Sequence, residues 1–285
     1  MAFAQKRIDC TFQLGTGSFG EGGLTTATVS GLRVAVQIQT GGGIECHAKL
    51  WGLTPSMLNQ LSSLSKAAMV LRRNLLSISA GDSVSGMGVV FQGVIVESWV
   101  DMKQPESVLT VTAMDTGALL ALTPVPPTTL PGSADAATIL ASLAKQSGLT
   151  LENNGVSVQI ATPYLSGSLG DQITAICDHA NIASVIDQTT LAIWPRGGSR
   201  GGAIPLVSPD TGMVGYPCYT ANGITLTTMF NPSIAFGGDI QVQSGLPQAN
   251  GQWHVIGLAQ ELESEIPNGK WFTSLQCVQL QGTAA

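Results

Sequence analysis

The sequence predicts a mainly β protein with a few short helices, a β+α chain whose strands form antiparallel barrels or sandwiches. Three observations predict it. Apolar residues alternate with polar ones over much of the chain, Gly/Pro/Asn clusters separate the alternating stretches, and helical stripes with start or stop signals occur in three places.

The alternation begins at once. Ile8, Cys10, Phe12 and Leu14 share one parity, with Asp9, Thr11 and Gln13 on the other. Leu32, Val34, Val36 and Ile38 repeat the pattern, as do Ile44, Cys46, Ala48 and Leu50, and Thr40-Gly41-Gly42-Gly43 between them reads as a hairpin turn. Further strands are expected at Leu75–Ala80, Val89–Val100 and Ser107–Met114. Later ones are expected at Val185–Asp187, Thr190–Trp194, Gly223–Thr228, Asp239–Gln243, Trp253–Leu262 and Trp271–Leu280.

The first helix starts at Thr54 as N-cap with Pro55 behind it, and its stripe is Met57, Leu58, Leu61 and Leu64. The second starts near Ser133, buries Ile139, Leu140 and Leu143, and stops at Gly148. The third pairs Ser168 with Asp171 in a near capping box, runs through Ile173, Ile176 and Cys177, and ends near Asn181. Narrow stripes of this kind suit helices that lie on a sheet or plug a barrel end.

Pro124, Pro126, Pro127 and Pro131 stiffen Thr123–Pro131 into an extended connector. The expected organisation is therefore a β unit with one helix over 1–122, a connector over 123–132, a helix–hairpin unit over 133–200 and C-terminal strands over 201–285.

Charge narrows the function. Asp, Glu, Lys and Arg make up only 11% of the chain, against about 25% in typical globular domains. A compact turn-rich β protein accounts for this. So does a surface buried in permanent subunit contacts, whose cores are depleted in charge, and the sequence favours that second reading. The net charge of −6 and the lack of any basic cluster longer than Lys6-Arg7 or Arg72-Arg73 argue against sequence-specific nucleic-acid binding. No apolar run reaches membrane-spanning length, and no signal-peptide core stands at the start, so a chain made in the cytoplasm without stable membrane insertion is expected. The five cysteines, Cys10, Cys46, Cys177, Cys218 and Cys277, are expected to be free and mostly buried.

The chemical motifs fail in context. Gly15-Thr16-Gly17-Ser18-Phe19-Gly20 matches GxGxxG, but Glu21 to Thr28 has loop composition where a dinucleotide site needs a helix. Cys177 and His179 do not face each other on a helix, so they form no nucleophile–base pair. His47 and His254 stand on the polar parity of strands, with solvent or a subunit as the expected neighbour. Glu261, Glu263 and Glu265 share one face at a strand end and read as solvated. Trp51, Trp99, Trp194, Trp253 and Trp271 read as core or interface residues, with Trp51 or Trp194 as sugar platforms in a rival reading of the chain as an adhesin or glycan-binding module. No catalytic, cofactor or metal residue is assigned, and an enzyme is not expected.

The C-terminal third carries a family resemblance. Gly223-Ile224-Thr225-Leu226, Phe230-Asn231-Pro232-Ser233-Ile234 and Phe236-Gly237-Gly238-Asp239-Ile240 precede Gly251-Gln252-Trp253-His254-Val255 and Gly269-Lys270-Trp271-Phe272. Upstream stand Gly170-Asp171-Gln172-Ile173, Leu191-Ala192-Ile193-Trp194-Pro195 and Phe91-Gln92-Gly93-Val94-Ile95. This resembles the baseplate hub proteins of contractile-tailed bacteriophages over nearly the whole chain. The resemblance implies two tail-tube-like antiparallel β-barrel domains, with C-terminal strands that can return to the first, and a virion protein assembled in the host cytoplasm. It implies a homotrimeric ring that joins the six-fold tail tube, or a tube-initiator protein, to a three-fold central spike. The hole would pass the tape-measure protein and then DNA, and baseplate wedge proteins would be further neighbours.

Overall fold

The structure, a computed structural model, describes residues 5–19, 23–40, 44–63, 72–82, 86–103, 105–129, 132–161 and 164–279. The chain divides into two units. Unit 1 comprises Met1–Asp115, Thr227–Pro232 and Leu258–Ser274, and unit 2 comprises Thr116–Leu226, Ser233–Gly257 and Leu275–Ala285.

Unit 1 opens with β1 (Lys6–Gln13), β2 (Thr26–Val29), β3 (Val34–Thr40) and β4 (Ile44–Trp51), then α1 (Pro55–Leu61), β5 (Leu75–Asp82), β6 (Gly86–Asp101) and β7 (Val108–Asp115). The parities expected from sequence are the buried ones: Ile8, Cys10 and Phe12 on β1, Val34, Val36 and Ile38 on β3, Cys46, Ala48 and Leu50 on β4. All enter one core with Leu76, Ile78, Phe91, Ile95, Leu109 and Val111. The long strand β6 is buried on alternating residues from Phe91 to Ile95 and from Val96 to Ser98, and it bulges opposite Ile78/Ser79 and again between Ile95 and Glu97, which adds twist to the sheet. Thr54 caps α1 by accepting from the Met57 backbone N–H, and Leu58 and Leu61 are buried beneath it. Leu64 and the Gly41–Gly43 turn lie outside the described residues.

Unit 2 contains α2 (Thr116–Ala121), β8 (Thr128–Thr129), β9 (Ser133–Asp135), α3 (Ala136–Gln146), β10 (Thr150–Asn153), β11 (Gln159–Ala161), β12 (Tyr164–Leu165) and α4 (Leu169–Ala180). There follow β13 (Ile182–Asp187), β14 (Thr190–Pro195), β15 (Leu206–Val207) and β16 (Met213–Tyr219). The last strands are β17 (Gly223–Met229), β18 (Asp239–Val242), β19 (Gly251–Ser264) and β20 (Trp271–Val278), of which Thr227–Met229, Leu258–Ser264 and Trp271–Ser274 belong to unit 1. A three-stranded sheet β10–β14–β13 shares a second core with α3 and α4, built on Ile139, Leu140, Leu143, Ile173, Ile176, Leu191 and Ile193.

α4 has the full capping box between Ser168 and Asp171, and Asn181 ends it at φ 53. α3 starts near Ser133, as the sequence suggests: its N-cap is Asp135, which accepts from the Thr138 backbone, while Ser133–Asp135 itself pairs with Gln159–Ala161 as a short strand. Leu280 lies outside the described residues, and β20 ends at Val278. Among the described residues no helix is long and apolar enough to cross a membrane.

The mainly β class holds, but the barrels do not close. In unit 1 the antiparallel order runs β19–β3–β4–β7–β6–β5–β1–β2, and among the described residues β2 has a ladder partner on one side only. In unit 2, β16 ends its ladder in the same way. The reason in unit 1 is visible at its seam. β2 is four residues long and covers only Cys10–Gln13 of β1. Side chains do what the ladder does not: Lys6 Nζ stands 5.6 Å from the centre of the Trp271 ring, and Gln5 Nε2 donates to Glu265 Oε1 at 2.8 Å. Ile8 and Trp271 share one core, so the sheet curls far enough to bury its inner face without closing its hydrogen bonds.

Each core sets a measurable cost. Phe12→Ala in unit 1 and Leu140→Ala in unit 2 delete fully buried side chains, and each is expected to lower unfolding free energy in urea by about 2–5 kcal/mol. A loss under about 1 kcal/mol at either position would contradict the packing described.

Candidate functional site

The outer face of unit 1 is polar by construction, since strand parity sends every second side chain away from the core. Ladder register aligns these side chains in rows. Glu261, Gln37, His47, Thr112 and Glu97 stand opposite one another across β19, β3, β4, β7 and β6. Glu263, Ala35, Lys49, Thr110 and Trp99 form the next row. Side-chain bonds knit the rows: Gln37 Nε2 donates to Glu261 Oε1 at 3.3 Å, His47 Nδ1 lies 3.2 Å from Thr112 Oγ1, and Lys270 pairs with Glu261 at 3.0 Å. Glu45, Glu97, Glu261 and Glu263 outnumber Lys49 and Lys270, so the face is hydrated and mildly acidic.

Unit 2 presents a different surface. From Met213 to Leu226, through β16 and into β17, the chain carries no charge. Val214, Tyr216 and Tyr219 are 44%, 69% and 54% exposed, and the thiol of Cys218 is exposed and free. Met213 and Pro217, on the parity opposite to Val214 and Tyr216, are buried, while Tyr219 is exposed at the strand's end. Among the described residues β16 is an edge strand, and natural edges are normally guarded by charge, proline or a covering element. Here Pro217 offers no backbone N–H and Gly215 takes a positive φ, but no charge repels a partner from the exposed tyrosines. An uncharged aromatic strip on a free edge has the composition of an interface core.

The residues singled out by sequence motifs fall elsewhere. The glycine-rich stretch is a turn whose next regular element is β2 (Thr26–Val29), a strand where a dinucleotide site needs a helix. Gly15 is required there because a Cβ would stand 2.0 Å from the Arg72 carbonyl oxygen. Gly20 lies outside the described residues. Cys177 is buried, donating to Ser184 Oγ at 3.3 Å, while His179 is exposed. Burial pushes the Cys10 and Cys277 thiols up to about 12, which leaves them unreactive.

Glu261 and Glu263 flank Lys270, and Glu265 lies past the strand end at φ 55. His254 departs from expectation. It is 8% exposed, and its Nδ1 lies 3.0 Å from Asp239 Oδ1, with Gln252 Nε2 donating to the other carboxylate oxygen at 2.8 Å. Trp253, His254 and Val255 are all buried in sequence, so β19 is covered on both faces there and parity no longer predicts exposure.

The tryptophans decide against the sugar-platform reading at one of its two positions. Trp194 is 4% exposed and packs on Gly237, where a Cβ would stand 2.6 Å from its ring. Trp51 is half-buried under the Arg33 guanidinium, 5.1 Å from the ring centre. Trp253 and Trp271 are buried, and Trp99 alone of the five is exposed.

One structural centre was not read from the sequence. Arg200 Nε and Nη2 donate to the two carboxylate oxygens of Glu152 at 2.9 and 2.8 Å, and Nη1 donates to Asp187 at 3.1 Å. Asn154 Oδ1 accepts from the Gly201 backbone N–H at 2.9 Å. The clasp fixes the glycine-rich segment 197–202 on the β10–β14–β13 sheet. Nothing in sequence spacing links Glu152, Asp187 and Arg200.

The sequence model of a family described as "Baseplate hub gp41" matches residues 8–275. No curated protein matches. Among solved structures, a tail protein from Neisseria meningitidis MC58 is similar with a TM-score of 0.61 at 10% identity, over 95% of this chain and 96% of that one. The 43 kDa tail protein of prophage MuSo2 from Shewanella oneidensis gives 0.62 at 8% identity, over 97% and 100%. A chain of the half-lidded Francisella PdpA–VgrG complex gives 0.55 at 9% identity, over 98% of this chain and 59% of that one. At such identities the likeness is one of fold.

The clasp makes unit 2 sensitive to acid. The hydrogen bond from Arg200 holds the Glu152 carboxyl below its ordinary range, against the opposing effect of partial burial. A depressed folded pKa stabilises the fold above the unfolded value and loses that contribution as pH falls through the folded one. The stability difference between the wild type and Glu152→Gln is expected to be full at neutral pH and to shrink below about pH 4. Urea unfolding across that range measures it, and a difference unchanged down to about pH 2 would show that the carboxylate charge contributes nothing.

Proposed function

The chain belongs to the baseplate hub gp41 family, and from that premise we propose that it is a structural, non-enzymatic subunit that assembles into a trimeric hub ring. In this reading the ring joins the six-fold tail tube, or a tube-initiator protein, to a three-fold central spike and leaves a channel for the tape-measure protein and DNA. It works in the virion baseplate after assembly in the host cytoplasm, with wedge proteins as outer neighbours. The family match over residues 8–275 carries the proposal. The likeness to a chain of the PdpA–VgrG complex supports a role in an assembly with other proteins.

The two surfaces fit different parts of this task. The uncharged β16–β17 hairpin suits a permanent subunit contact, where a charge would have to be desolvated without a partner. The hydrated, mildly acidic face of unit 1 suits a wall past which a polyanion moves, since like charge and water prevent adhesion.

Substitution of the edge separates assembly from folding. Val214→Lys with Tyr216→Lys places two ammonium groups on an exposed stripe outside either core. The variant is expected to unfold at an unchanged urea midpoint yet remain monomeric by mass photometry at concentrations where the wild type forms a larger species. A variant that assembles as well as the wild type would remove β16 from the interface.

A further inference from the structure

The chain contains four Asn-Gly steps: Asn154-Gly155, Asn222-Gly223, Asn250-Gly251 and Asn268-Gly269. Asn-Gly is the dipeptide most prone to spontaneous deamidation, because glycine leaves its own amide nitrogen unshielded. In the reaction the glycine nitrogen attacks the asparagine Cγ. A new N–Cγ bond forms, the Cγ–Nδ2 bond breaks, and ammonia leaves with the proton from the glycine N–H. Water then opens the resulting five-membered imide at either carbonyl, giving aspartate or isoaspartate. The step needs a side-chain amide free to rotate onto the following nitrogen.

The fold treats the four steps differently. Asn154 is locked on both ends: Nδ2 donates to Glu152 Oε1 at 3.0 Å and to the Ile193 carbonyl at 3.3 Å, and Oδ1 accepts from Gly201 N–H. Asn250 is locked on Ser244, accepting from its backbone N–H at 2.6 Å and its hydroxyl at 3.2 Å while Nδ2 donates to its carbonyl at 3.2 Å. At Asn268 the attacking group is engaged, since the Gly269 N–H donates to the Ile266 carbonyl at 3.0 Å. Asn222 is exposed at the turn between β16 and β17, and among the described residues no hydrogen bond holds its amide.

We propose that Asn222-Gly223 is a site of spontaneous deamidation in the folded protein, while the fold shields the other three steps. The product puts a carboxylate in the hairpin that otherwise carries no charge from Met213 to Met229. The reactivity follows from local geometry and stands whether or not β16 is an interface.

Peptide mapping by mass spectrometry, after incubating the full chain in warm, mildly alkaline buffer, tests the assignment. Asn222 is expected to convert about tenfold faster than Asn154, Asn250 or Asn268, since those must first break local hydrogen bonds. In urea the four rates should draw together. The Asn222→Ser chain should lose the earliest acidic species in charge-based separation and keep its unfolding midpoint. Equal conversion at Asn154 and Asn222 in the folded chain, or an intact Asn222 while the urea-treated chain converts there, would overturn the proposal.

Discussion

The structure depends on one strand serving two ladders. Gly251–Ser264 pairs through its first residues with Asp239–Val242 in unit 2 and through its last residues with Val34–Thr40 in unit 1. Neither ladder reaches its full width until the chain beyond residue 250 is in place. Trp271, from the following strand, enters the unit 1 core with Ile8 and Phe12. The first unit is therefore finished by residues from the far end of the chain. Pairings this distant in sequence form slowly, because loop closure precedes the contacts that repay it.

That constraint explains what the sequence discloses and what it hides. Parity along a single strand is a local property, so the buried faces of β1, β3 and β4 could be read directly. Helix ends are local too, and Thr54, Ser168 and Asn181 lie where capping chemistry puts them. The pairing of Ser133–Asp135 with Gln159–Ala161 just ahead of α3 is a longer-range effect that no local signal announces. Short strands such as Thr26–Val29 and Leu206–Val207 carry no alternation long enough to register. The burial of His254 depends on cover from both sides of β19, and barrel closure depends on which edges meet; neither is encoded in the period of one strand.

The same division applies to the candidate surfaces. A shortage of charge was evident from composition, but its placement was not. The structure locates it on the Met213–Leu226 hairpin, on an edge that is free among the described residues, with Val214, Tyr216 and Tyr219 exposed, and it gathers the strand carboxylates on the opposite kind of surface, the hydrated face of unit 1. Arg200 shows the reverse case, a half-buried charge paired with Glu152 and Asp187 through contacts that no motif announces.

The central claim is that this chain acts as a closed ring in a tail baseplate. Electron-microscopic classification of the concentrated, purified full chain tests it most directly. The account expects three-fold particles with a central hole. Particles that remain single subunits at every concentration, alone and with a spike partner, or that extend into open filaments, would contradict it.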